Sequence, residues 1–166
     1  MSISSQILGS PGRDNALLVR IDSGQAVERL LFDCGEGCLA ELPVAEVLKV
    51  DHLCFSHLHM DHVSGFDSFF RCNYDRDSME NRIWGPPETA RIMHGRFQGF
   101  LWNLHKTMSG SWLVSDIHPE EIRTKRFELR EAFAVAHGGG TEPHEDAFCE
   151  GAGFTAEAVL MDQFLR

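Results

Sequence analysis

Along the chain, apolar residues first come in short runs broken by turn residues and later recur at helical spacing. Gln6-Ile7-Leu8 reads as a strand that stops at the turn cluster Gly9-Ser10-Pro11-Gly12. Ala16 to Ile21 is a second apolar run, turned by Asp22-Ser23-Gly24, and Leu30-Leu31-Phe32 is a third, ending at Asp33-Cys34-Gly35-Glu36-Gly37. A short helix is expected around Pro43 to Leu48, then a strand from Val50 to Phe55. Ser64 is placed to cap a helix carrying Phe66, Phe69 and Phe70. Arg82-Ile83-Trp84 reads as a strand, and Gly85-Pro86-Pro87-Glu88 as a helix entry with proline in the first turn. Ile92, Met93, Phe97, Phe100, Leu101 and Leu104 then form an amphipathic stripe, predicting a helix to about Leu104. Gly95 and Gly99 lower its propensity, and close packing against a neighbour is the expectation for them. Phe127 to Ala136 and Phe154 to Leu160 are the last two strands, joined by a glycine-rich acidic loop, HGGGTEPHEDAFCEGAG. Consecutive strands followed by strand–helix alternation predict a mixed α/β sandwich. No linker or repeat divides the chain, so residues 1–166 read as a single domain or a piece of one.

Composition changes this picture little. The 166 residues are 43% hydrophobic and 24% charged, ordinary values for a globular domain with a real core. No run approaches the roughly 18 apolar residues of a membrane span. MSISSQILGSPG lacks a basic start and a long apolar stretch, so no signal peptide and a cytoplasmic location are expected. Five cysteines at irregular spacing, Cys34, Cys38, Cys54, Cys72 and Cys149, argue for a reducing compartment rather than a disulfide framework. Cys34 and Cys38 have no second pair at the spacing of a four-cysteine zinc site. The formal net charge of −10 repels nucleic acid on average, so any RNA contact must be locally focused.

The chemistry concentrates in His57-Leu58-His59-Met60-Asp61-His62. In an extended segment His57, His59 and Asp61 point the same way, while His62 faces elsewhere unless the chain turns there. Two ligand sets follow, His57 with His59 and Asp61 with His62. Three imidazoles and a carboxylate in six residues would leave many polar groups unsatisfied if buried without a cation. Such ligands suit zinc, with manganese or iron as alternatives. Zinc lowers the pKa of a bound water from 15.7 to about 7, which makes hydroxide available at neutral pH.

His-x-His-x-Asp-His at a strand end is the signature of the metallo-β-lactamase superfamily. QILGSPG, LLFDCGEG, CFSHLHMDHVSG and IWGPPETA further resemble the ribonuclease Z family of tRNA 3′-end processing endonucleases, over roughly residues 3 to 162. The resemblance implies an αββα sandwich, of which this chain is the first half or slightly more, truncated at the C-terminus. It implies a zinc-dependent hydrolase with two Zn2+ ions per complete site. His57 and His59 would hold one ion, Asp61 and His62 the other, and Asp61 would also accept a proton. Asp33 would support the motif by hydrogen bonding from behind; the alternative is a plain turn residue before Gly35. The implied substrate is RNA, a precursor tRNA losing its 3′ trailer, and the implied assembly is a homodimer without membrane contact.

One departure stands out. Where relatives carry a histidine ligand after the last strand, this sequence has Gln163, and the later aspartate and histidine ligands are absent. His137 and His144 sit in the glycine-rich loop and read as solvated residues rather than replacements. The arginines at 71, 76, 82, 91 and 96 are candidate phosphate contacts, most of them expected to be solubilising surface. Two other functions stay open. The same fold hydrolyses other electrophiles, among them arylsulfates, cyclic phosphodiesters, lactones and thioesters. A catalytically inactive fragment would instead act as a binding or dimerisation module, since half a sandwich exposes a sheet face.

Overall fold

A computed structural model describes residues 1–103, 105–144 and 147–159. Eight strands form one mixed sheet in chain order: β1 (Ser2–Leu8), β2 (Ala16–Asp22), β3 (Val27–Phe32), β4 (His52–Cys54), β5 (Asn81–Gly85), β6 (Ser111–Ile117), β7 (Glu121–Glu128) and β8 (His137–Pro143). The central strands β3 to β6 pair in parallel and the outer ones antiparallel. Because the parallel strands are added in one direction with crossovers of one hand, their helices collect on one face. These are α1 (Val44–Val47), α2 (Met60–Val63), α3 (Phe66–Asn73) and α4 (Thr89–Phe97).

Alternation along each strand separates the faces. Leu8, Ala16, Leu31, Leu53, Ile83, Trp112, Val114 and Phe127 point toward the helices, where Phe66, Phe69, Phe70, Met93 and Phe97 meet them. Phe70 and Phe97 lie 5.0 Å apart by ring centroids, and Phe97 and Trp112 5.5 Å apart. Each such ring contributes roughly 1.5–3 kcal/mol by leaving water. A hairpin of β9 (Ala147–Gly151) and β10 (Phe154–Glu157) lies on the opposite face, with Phe148 against Trp84 at 5.4 Å and Ala152 N–H donating to Glu28 at 3.1 Å. Helices, sheet and hairpin thus form the α, β, β succession expected of the sandwich. The hairpin leaves the end of this face uncovered, where Ile3 and Ile7 remain 62% and 73% exposed.

Several sequence expectations change. The prolines lie in the turn before α4, not in its first turn; Ala90 N–H is capped by the Asp116 carboxylate at 2.8 Å and Thr89 Oγ1 donates to Pro86 O. That helix ends at Phe97, and Phe100 and Leu101 are exposed; Leu104, its expected end, lies outside the described residues. Gly95 has no neighbour within 4 Å of where a Cβ would stand, so it does not mediate close packing. Phe127 to Ala136 is not one strand: β7 ends at Glu128 and the chain turns through Ala132 and Phe133 at positive φ. β6 and most of β7 were not foreseen, and the glycine-rich loop contributes β8 and β9. β10 ends at Glu157, and Gln163 lies outside the described residues. Among the described residues no helix is long and apolar enough to cross a membrane.

Candidate metal centre

The site forms where β3 and β4, parallel neighbours, both end. In open parallel sheets the crevice beyond the carboxyl ends of strands is where ligands bind. Phe55 N–H still donates to Trp84 O at 2.8 Å, after which residues 56–59 leave the sheet with bends at Ser56 and His59. His59 is itself extended (φ −69°, ψ 156°) and serves as the cap of α2, with His62 N–H donating to its carbonyl at 3.0 Å. The chain therefore turns inside the motif, so His62 does not face away. Its ring lies 3.6 Å from that of His57, and His59 lies 4.7 Å from His57. Ligand atoms of His57, His59 and Asp61 all fall within 4.8 Å of one another. Asp61 Oδ2 is 3.4 Å from His62 Nε2.

Asp33 lies beneath this group. Its backbone adopts φ 59°, a left-handed conformation that an aspartate tolerates better than most residues. Its N–H donates to Cys54 O at 2.8 Å, and its carboxylate accepts Ser56 N–H at 2.8 Å and Ser56 Oγ–H at 2.8 and 3.0 Å. Asp33 Oδ2 also accepts from His62 Nδ1 at 2.8 Å. With the Ser56 proton on Asp33, His57 Nδ1 donates to Ser56 Oγ at 3.0 Å. Both imidazoles then carry their proton on Nδ1 and present a lone pair at Nε2. Desolvation first, then the charges of His62 and His59, hold the His57 pKa below its ordinary value and favour the neutral ring. A donor set of three imidazoles and one half-exposed carboxylate, with two rings oriented through hydrogen bonds, fits a borderline divalent cation such as zinc.

Backbone close approach locks the motif to the β3 end. Cys34 N–H donates to His62 O and Gly65 N–H to Cys34 O, each at 2.8 Å. A Cβ on Gly65 would stand 2.1 Å from Gly35 O, so this crossing requires glycine. Ser64 does not cap α3, which starts after Gly65; its hydroxyl donates to Asp14 at 3.2 Å. Asp14 also accepts Glu36 N–H at 3.1 Å and so ties three loops together. Ser56 and Asp14 are the residues that sequence reasoning missed. Ser56 was signalled only by its place directly before the motif, and Asp14 by nothing beyond a turn.

The other candidates lie elsewhere. His137 pairs with Glu131 at 2.6 Å and His144 Nδ1 with His118 O at 2.8 Å; neither belongs to the ligand group. Arg76 is buried and donates to Leu48 O and Val50 O, a structural role. Arg82 pairs with Glu80, Arg91 with Glu88 and Arg96 with Asp67. A cleft of about 730 Å3 opens beside His57 and His59, walled by Phe32, Trp84, Phe148 and Val159.

The profile of the family described as "Beta-lactamase superfamily domain" matches residues 28–158. The chain belongs to the metallo-β-lactamase superfamily. Within it, the chain is similar to ribonuclease Z of Deinococcus radiodurans, with 48% identity over 157 residues, 95% of this chain and 47% of that protein. Ribonuclease Z of Haloferax volcanii is 33% identical over 128 residues, 67% of this chain and 38% of that protein. The chain therefore spans less than half the length of either relative. The crystal structure of human tRNase Z, short form, aligns with 75% of this chain and 57% of its own, at 16% identity and TM-score 0.46.

Proposed function

We propose that this chain forms the metal-binding part of a cytoplasmic ribonuclease Z-type phosphodiesterase, cleaving the 3′ trailer from precursor tRNA. The observation that supports it most is the gathering of His57, His59 and Asp61, with His62 held against Asp33, in a chain 48% identical to a ribonuclease Z. His57 and His59 would hold one zinc ion, and Asp61 and His62 a second. Bound there, the cations would supply an acidified water with a pKa of about 7 and positive charge for a phosphate. Asp33 and Ser56 fix the tautomer and aim of two rings, so ligand geometry is set before substrate arrives. Asp61, 61% exposed at its side chain, is free to accept a proton from the attacking water.

A panel of precursor tRNA, bis-p-nitrophenyl phosphate and a lactone tests the reading, with zinc content measured in parallel by mass spectrometry. Cleavage of precursor tRNA at its trailer is expected; cleavage of the lactone alone would remove the ribonuclease assignment. A second reading is favoured by the exposed Ile3 and Ile7 on the uncovered sheet face, which suit a second copy of the chain. A dimer in sedimentation without metal or activity would support a dimerisation module instead.

A further inference from the structure

Away from the metal centre, α3 and the segment after α4 enclose a cleft of about 450 Å3, within the range of small-ligand sites. Its rings are Phe70, Tyr74, Phe100 and Trp102. Trp102 is fixed by its indole N–H, which donates to Phe97 O at 2.8 Å. Tyr74 lies 5.7 Å from it at 45°, and Phe100 lies 6.3 Å from Trp102 and 5.8 Å from Phe70. Phe100 is 45% exposed, although a soluble surface gains nothing from showing a preset aromatic ring to water. Two polar groups line the same cleft. Arg71 is exposed and, of the five arginines between 71 and 96, it makes no hydrogen bond or ion pair among the described residues. Asp67 Oδ1 is shielded from solvent without a hydrogen-bond partner, while its Oδ2 accepts from Arg96 at 3.3 Å.

We propose that this cleft binds a nucleobase of a single-stranded polynucleotide. The rings offer a stacking surface that any base can use. Arg71 supplies the unpaired cation that a phosphate needs on a chain of net charge −10. A neutral peptide would meet the rings but leave the Arg71 charge without a counter-charge, which a phosphate supplies. The choice of RNA as the strand rests on the ribonuclease Z reading; the stacking geometry does not.

The test is fluorescence anisotropy of a labelled ten-residue oligoadenylate against an abasic strand of equal length, using the whole chain. The base-bearing strand is expected to bind more tightly than the abasic one. Phe100→Ala should weaken the former about tenfold, as loss of one stacking partner does, and leave the abasic strand unaffected. Arg71→Ala should weaken both strands and lower the salt slope by about one. Both substitutions are at exposed positions, and an unchanged melting temperature verifies the fold. Equal binding of the two strands, or indifference to Phe100→Ala, would overturn the proposal. So would a Phe100→Ala effect confined to sedimentation, which would mark a protein contact. Hydrolysis of bis-p-nitrophenyl phosphate should be unchanged in the Phe100→Ala variant. If wild-type protein lacks that hydrolysis yet binds bases through Phe100, the catalytic reading fails and the cleft stands.

Discussion

His52 and the His57–His62 group lie within ten residues of one another and have opposite surroundings. His52, 7% exposed on the outer sheet face, receives the Trp84 indole N–H at 3.1 Å and lies 3.5 Å from Cys149 Sγ. Burial holds its pKa down at about 4, and burial also pushes the Cys149 thiol up to about 11. The three motif histidines instead stand beyond the strand ends, two with Nδ1 engaged from below and Nε2 open. The contrast teaches that imidazole chemistry is assigned by where its hydrogen bonds come from. When an indole donates to the ring and the hairpin strand carrying Cys149 covers it, the histidine is held buried and neutral. When a carboxylate and a hydroxyl accept from one nitrogen, the other is left for a ligand.

The comparison breaks hardest at the motif. His59→Ala combined with Asp61→Ala should abolish stoichiometric zinc binding, beyond the roughly 10–100-fold losses typical of outer partners. Plasma mass spectrometry reads it, and retained metal would mean that the cation sits elsewhere. Asp33→Asn keeps the shape but replaces one acceptor oxygen with a donor. It should weaken zinc affinity roughly 10–100-fold with ligand residues intact, measured by chelator competition. On the other side, Trp84→Phe removes the indole donor to His52 and should cost about 0.5–1.5 kcal/mol in urea unfolding without changing metal content. The pH dependence of stability sharpens the same point. Unfolded His52 takes up a proton as pH drops past about 6.5, while the folded ring stays neutral to about 4. Stability due to this group is therefore present above pH 6.5 and is lost as pH falls toward 4, and His52→Gln should flatten the melting curve in that window. Smallest of all, Ile7→Thr on the uncovered face should change monomer stability by no more than about 0.5 kcal/mol. Any dimer seen by sedimentation should weaken.

The candidate ligand group was legible because its members are contiguous and a strand end aims them. Asp33 was legible only through the resemblance that LLFDCGEG carries; the strand-to-turn pattern alone marks it as a turn residue. Ser56 and Asp14 were not, since a hydroxyl and a turn carboxylate carry no periodicity and gain meaning only when three loops converge. The strands β1 to β5 followed from apolar runs and glycine turns. β7 was hidden by EIRTKRFE, whose charged residues on a half-covered strand mask the alternation, and β8 by exposed HGGGTEP, which pairs through backbone alone. Phe100 and Leu101 continued the helical stripe in sequence, yet α4 stops at Phe97, and Gly99 follows directly after its cap Gln98. Hydrophobicity there reports a surface ring, not a core position.

The sheet adds its eight strands in the order in which they occur in the chain. During synthesis each new strand of this sheet would thus meet a neighbour already laid down. Each pairing in the sheet joins strands consecutive in sequence, the antiparallel ones through short loops and the parallel ones through the longer crossovers that carry the helices. The zipper passes the histidine motif at its midpoint, so the candidate ligand group is in place before β7 and β8 pair.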